Sequence, residues 1–162
     1  MTTANVCSQL IHYKQWADDG LYRVIEGNLE RLDALDKEVL LQILDHMHAV
    51  DRIFQHHLLG QPHEFERARL PQPLMFDALA KQVRAVDEWY VDYAGGLGDG
   101  LIDEEIDFVF TSGAPARMRR GDMMLHVPLH GTYHRGNAGL LLQKNGVKPN
   151  DDRLTDFLGA EL

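Results

Sequence analysis

The sequence predicts an all-α protein: a four-helix bundle with a short β-hairpin inserted before the last long helix. Three observations carry that expectation. Apolar residues recur every three or four positions in four separate stretches. A short segment ahead of the fourth stretch alternates polar with apolar instead. The junctions hold Gly, Asn and Pro but no internal repeat, low-complexity tract or linker, so residues 1–162 read as a single domain.

The first helix is expected over residues 5–30, where Val6, Leu10, Tyr13, Ala17, Leu21 and Val24 fall in phase. Gly20 and Gly27 weaken it by about 1 kcal/mol each relative to alanine. The second is expected over residues 36–59, carrying Leu40, Ile43, Leu44, Met47, Val50, Phe54 and Leu58. Asp36 reads as its N-cap and Gly60-Gln61-Pro62 as its stop. The third covers residues 74–94 with Phe76, Leu79, Val83, Val86, Tyr90 and Tyr93, and it halts at Gly95-Gly96. Its aromatics, with Trp89, read as core. The acidic run over residues 99–107 reads as a solvated loop. Residues 105–110 then alternate, residues 111–115 supply turn chemistry, and residues 116–120 return as a strand. The fourth helix is expected over residues 122–145, bent at Pro128, which removes a backbone hydrogen bond. Its Leu125, Val127, Leu129, Leu140, Leu141 and Leu142 predict that it is largely buried. Residues 151–158 read as a short terminal helix.

Composition narrows the function classes. The 162 residues carry 25 acidic and 16 Lys/Arg side chains, a net charge of −9. An acidic surplus opposes phosphate backbones, so no nucleic-acid partner is expected. A bilayer span needs about 20 apolar residues, whereas no uncharged stretch reaches that length, and residues 123–133 are interrupted by His126, Pro128 and His130. No membrane partner is expected. The N-terminal residues do not read as a basic-then-apolar secretory signal. The single cysteine, Cys7, allows no intrachain disulfide and suits a reducing, cytoplasmic location. It has no adjacent His or Lys and reads as structural rather than nucleophilic.

The outlying residue type is histidine, with nine copies. His126, His130 and His134 stand four apart, on one ridge of the fourth helix. His126 and His134 lie about 12 Å apart along the axis, so one ion cannot take all three. Pro128 distorts the turn between His126 and His130. The turn between His130 and His134 is unbroken, and Gly131 and Gly136 beside it open space for an ion. The pair 130/134 is therefore favoured, and His126 reads as a packed histidine rather than a fourth ligand. On the second helix His46 and His48 point about 200° apart. His46 has Ile43, Val50 and Ile53 on its flank, while His48 has Asp51, Arg52 and Gln55. His46 is thus the inward candidate and His48 the solvent-side one. Three neutral nitrogens with one coordination position open is the pattern of a catalytic metal site.

These residues carry a resemblance. His-Met-His-Ala-Val-Asp-Arg-Ile-Phe (46–54), together with His-Gly-Thr-Tyr-His-Arg-Gly-Asn (130–137), resembles the DinB/YfiT family of bacterial four-helix-bundle metalloproteins, distinct from the DNA polymerase that shares the DinB name. Residues 13–17 and the Ser112-Gly113 turn extend the likeness across nearly the whole chain. The resemblance implies a metal triad of His46, His130 and His134, a divalent ion, zinc or nickel foremost, and a homodimer. It implies a metal-activated thiol or water as nucleophile, hence a small-molecule S-transferase using a low-molecular-weight thiol, or a hydrolase. Asn137 departs from the glutamine usual after Arg-Gly. Arg135 and Asn137 are candidate supporting residues behind the ligands, with Arg135 read as an ion-pair partner of a carboxylate such as Asp51 in preference to a holder of anionic substrate. His12 reads as packing or solvent. His56, His57 and His63 sit near a helix end whose dipole favours a cationic imidazole. The rival readings are a non-catalytic metal- or ligand-binding protein and a stress protein whose histidines merely complete a core.

Overall fold

A computed structural model describes residues 1–160. The long helices are α1 (Thr3–Glu26), α2 (Ala34–Leu59), α3 (Phe76–Gly95) and α5 (Arg120–Lys144). A short α4 (Asp99–Ile102), an antiparallel hairpin of β1 (Glu105–Val109) and β2 (Pro115–Arg119), and a terminal α6 (Leu154–Ala160) complete the chain. The fold is the expected helical bundle with its hairpin ahead of the last long helix.

Contacts between named residues give the direction of each helix. Lys14 and Asp19 of α1 meet Asp87 and Arg84 of α3, so these two run antiparallel. Asp36 and Leu58 of α2 meet Lys144 and Arg120 of α5, again antiparallel. Asp18 of α1 meets Arg135, and Lys14 lies against Gly131, so α1 and α5 are parallel. His48 and Asp51 of α2 meet Gln82 and Tyr90, so α2 and α3 are parallel as well. The order around the bundle is α1, α3, α2, α5. Because α2 and α3 point the same way, residues 60–75 must return along the outside of the bundle. Gly60 starts that return at φ 63°, in the left-handed region that glycine enters without a Cβ penalty.

Several boundaries differ from expectation for local reasons. α1 stops at Glu26 because Gly27 closes it and the Asn28 side chain donates to the Val24 carbonyl, leaving Leu29–Arg31 as a separate 3-10 turn. α2 starts at Ala34, with Asp33 rather than Asp36 accepting the capping N–H, from Leu35. Asp36 instead accepts from Lys144 and Asn145 and ties the two helix ends together. α3 begins at Phe76 and α5 at Arg120. The acidic run is exposed as expected but is not a loop: it forms α4 and β1, and Asp103, Glu104, Glu105 and Asp107 pair with Arg119, Arg120 and Arg117. α5 is not largely buried either. Among the long helices it packs chiefly on α1 and α2, which leaves Leu129, Tyr133 and Leu140 between 63% and 70% exposed along its outer face.

The apolar core has two large halves, beside two small clusters around Phe157 and Phe65. One half gathers Cys7, Ile11, Phe54, Tyr90, Met123 and Val127. The other gathers Leu21, Ile25, Leu40, Leu44, Leu79 and Leu142. Between them lies a buried polar layer. Lys14, 1% exposed, reaches Asp18 at 2.7 Å, Asp51 at 2.8 Å and Asp87 at 2.5 Å, so one ammonium joins three helices. The three carboxylates hold Lys14 well above the usual lysine range against the effect of burial. From α5, Arg135 adds a bond to Asp18 at 3.0 Å and to Asp152 at 2.8 Å, and Tyr13 donates to Asp152 at 2.6 Å. The carboxylate partners of Arg135 are therefore Asp18 and Asp152, not Asp51, which Lys14 takes.

Removing one partner from a buried ionic cluster strands the others without compensation, at roughly 3–5 kcal/mol. Lys14→Ala is expected to lower the unfolding free energy by about that amount in urea titration. A loss below about 1 kcal/mol, the value of an exposed pair, would contradict this role for the layer.

Candidate metal centre

The antiparallel register of α2 and α5 brings His46 opposite His130 and His134 at the level of the polar layer. The ring centroids form a tight triangle: 5.0 Å for 46–130, 4.7 Å for 46–134 and 4.5 Å for 130–134. One nitrogen from each ring lies within 4.8 Å of the other two, and all three side chains are half-buried. His46 Nε2 and His130 Nε2 stand 3.1 Å apart. Two nitrogens bound to one tetrahedral zinc at 2.0–2.1 Å would stand about 3.3 Å apart.

The hydrogen bonding also suits a cation. His46 Nδ1 donates to the Ala68 carbonyl at 2.8 Å, since a carbonyl only accepts. Its Nε2 is then a bare lone pair aimed at His130. Residues 60–75 thus complete the centre, because their return path places Ala68 behind His46. This N–H to carbonyl bond is the usual support behind a metal-bound imidazole. Burial, reinforced by the neighbouring rings of His134 and His46, drives His130 down to about 3, and burial followed by His46 lowers His134. Both rings are neutral near pH 7, the form a metal requires. The residues fit a divalent ion, and borderline metals such as zinc, nickel or copper suit an all-imidazole set.

His126 stays outside this triangle. It stacks on Phe54 at 4.5 Å and on His130 at 5.6 Å, a packed histidine as expected. Asn137 is half-buried one turn beyond His134, and among the described residues its side chain makes no hydrogen bond. Arg135 is fully withdrawn into the polar layer and offers no face to a substrate. Gly131 does not open space for an ion. A Cβ at Gly131 would lie 3.0 Å from Arg135 Nη1, so this glycine admits the polar layer, and Gly136 faces open surroundings. His12 is exposed and Cys7 is fully buried, with burial raising its thiol above the usual range.

His48 corrects the expectation outright. It is 1% exposed, its Nε2 donates to Gln82 Oε1 of α3 at 3.2 Å, and it is more buried than His46. Asp51 misleads here, since it marks a hidden ion cluster rather than a solvent face. The polar layer itself is what residue-by-residue reading missed. The signal was present in the phase: Lys14 lies seven residues from both Cys7 and Leu21, Asp51 seven from Leu44 and Leu58, Asp87 four from Val83 and three from Tyr90, all buried positions.

The second acidic group whose oxygens converge, Asp18, Asp51 and Asp87, already surrounds the Lys14 ammonium. Burial raises Asp51 to about 6 and Asp87 to about 7, reinforced by the neighbouring Asp18 and opposed by Lys14.

The comparisons with known proteins agree with the residues. The model of the DinB family matches residues 1–161. No curated protein and no solved structure matches the chain significantly.

Opposite pH signatures follow for two buried groups. Burial holds His48 neutral down to about 4 in the fold, whereas it protonates near 6.5 when unfolded. The unfolded chain binds the extra proton in that window, so His48 lowers stability at pH 4.5 and the penalty vanishes by pH 7. Asp87 has the reverse sign: its raised value favours the fold below about 4, and that contribution is lost as pH rises through about 7. Relative to His48→Gln, the metal-free wild type is expected to gain stability between pH 4.5 and 6.5. Relative to Asp87→Asn it is expected to lose stability over the same range. Parallel curves for all three proteins in urea titration would contradict both assignments.

Proposed function

The chain belongs to the DinB family, and on that premise we propose that it is a divalent-metal-dependent enzyme acting on a small molecule, with His46, His130 and His134 as the metal ligands. The favoured reaction is S-transfer from a low-molecular-weight thiol, with hydrolysis as the second choice. The single observation behind this reading is the convergence of three imidazoles from two helices, with rings 4.5–5.0 Å apart and no fourth ligating side chain grouped with them among the described residues.

When bound, a divalent ion lowers the pKa of a coordinated thiol or water, so that a nucleophilic anion is present at neutral pH. The protein's own residues do the rest. Ala68 fixes the His46 tautomer, and burial keeps His130 and His134 unprotonated. Lys14 and Arg135 hold α1 and α5 in register beneath the site. No carboxylate is grouped with the triad as a general base among the described residues. Tyr133, 70% exposed and edge-on to His134 at 5.0 Å, stands at the outer side of the centre, where a substrate would arrive. Zinc and nickel are the metals proposed, and a cytoplasmic setting with its thiol pool suits the favoured chemistry.

Homodimer formation belongs to the same proposal. Leu129, Tyr133 and Leu140 form an exposed stripe along α5, which supports pairing of two chains through that helix. Sedimentation is expected to show a dimer that Leu140→Lys weakens; a monomer in the wild type would remove this part.

Removing even a support behind a metal ligand weakens binding about 10–100-fold. Loss of a ligand is expected to exceed this. In zinc dialysis of untagged protein, His46→Ala, His130→Ala and His134→Ala should each lose the same single equivalent. Thiol-transfer or ester-hydrolysis turnover in the metal-loaded wild type should vanish in the same variants. Unchanged metal content in the variants would defeat the site. Bound metal with no turnover over several thiols, esters and metals would favour the non-catalytic binding protein.

A further inference from the structure

A second group of histidines lies at the C-terminal end of α2. His57, in the last turn of that helix, is 7% exposed, and its Nε2 is buried without a partner. His63 follows the left-handed turn at Gly60, which folds the chain back over the helix end. Its Nδ1 is likewise buried without a partner. Buried polar atoms in folded proteins are almost always satisfied, so two such nitrogens on touching rings call for an occupant.

The rings of His57 and His63 are 5.2 Å apart at 67°, a spacing close to the 5.0 Å and 62° of His46 and His130. Both rings line a cavity of about 520 Å³ between the end of α2 and the hairpin, and Gln61 and Asp107 also face it. Phe108 lies 4.5 Å from His57 and Phe65 lies 5.7 Å from His63, so both imidazoles are held by packing. The carbonyl end of a helix favours a cation.

We propose that His57 and His63 form a second transition-metal site, separate from the triad, which takes a borderline ion such as nickel or copper and leaves its remaining positions to water from the cavity. Burial lowers His57 to about 4 and also lowers His63, so neither ring is the dipole-stabilised cation that position alone suggests. Protons therefore do not compete for these nitrogens near pH 7. His56 is not needed as a ligand: its Nδ1 donates to the Arg52 carbonyl at 2.7 Å and its ring is 6.2 Å from His63.

The test is nickel binding by untagged, chelator-stripped protein, read as metal per chain after dialysis and as retained helicity. Wild type is expected to hold two equivalents, His63→Ala and His57→Gln one each, and the double variant His63→Ala/His130→Ala none. His63 is half-buried on a loop, so its loss leaves the bundle intact even where a His57 variant does not fold. Undiminished nickel in folded His63→Ala overturns the proposal, as does a wild type holding only the equivalent that His130→Ala removes. Nickel lost by His63→Ala but untouched by His130→Ala supports this site and defeats the triad instead.

Discussion

A buried ammonium fixes how the four long helices meet. Lys14 binds carboxylates from α1, α2 and α3, and Arg135 of α5 joins through Asp18. Apolar packing tolerates sliding and substitution of similar volume, whereas bonds of 2.5–3.0 Å to fixed partners do not. The layer divides the core into two apolar halves and sets the axial position of every long helix. Its net worth in stability is limited by desolvation of the ions, so its clearest consequence is register.

Register is what the histidines need. His46 is eighty-four residues from its neighbour His130, and the two meet only if α2 and α5 are aligned to within a fraction of a helical turn. Asp36 with Lys144 and Asn145 clamps one end of that helix pair, and Arg120 with the Leu58 carbonyl clamps the other. Gly131 shapes the middle of α5. The glycine lets Arg135 and Lys14 approach the helix backbone beneath His130, so the polar layer and the triad are two faces of one stretch of α5.

Much of this was legible in the sequence. Periodicity located all four long helices, alternation and turn residues located the hairpin, and the spacing of His130 and His134 with His46 picked out the three rings that converge. Helix ends were harder to read, because Asp33 and Asp36 are equally good caps until a tertiary partner claims one of them. The polar layer was hidden by the rule that charged residues mark a solvent face. That rule failed at Asp51, and it carried His48 with it. Phase with buried neighbours was the better guide, since a charge in core phase requires a partner in core phase on another helix. Ala68 left no trace, because its contribution is a backbone carbonyl placed by a loop path.

The central claim is that three imidazoles share one ion. The direct measurement is anomalous X-ray scattering at the zinc edge from crystals of the zinc-loaded protein. The account predicts a peak about 2.0–2.1 Å from one nitrogen each of His46, His130 and His134. Full zinc occupancy elsewhere, with none between α2 and α5, would contradict it.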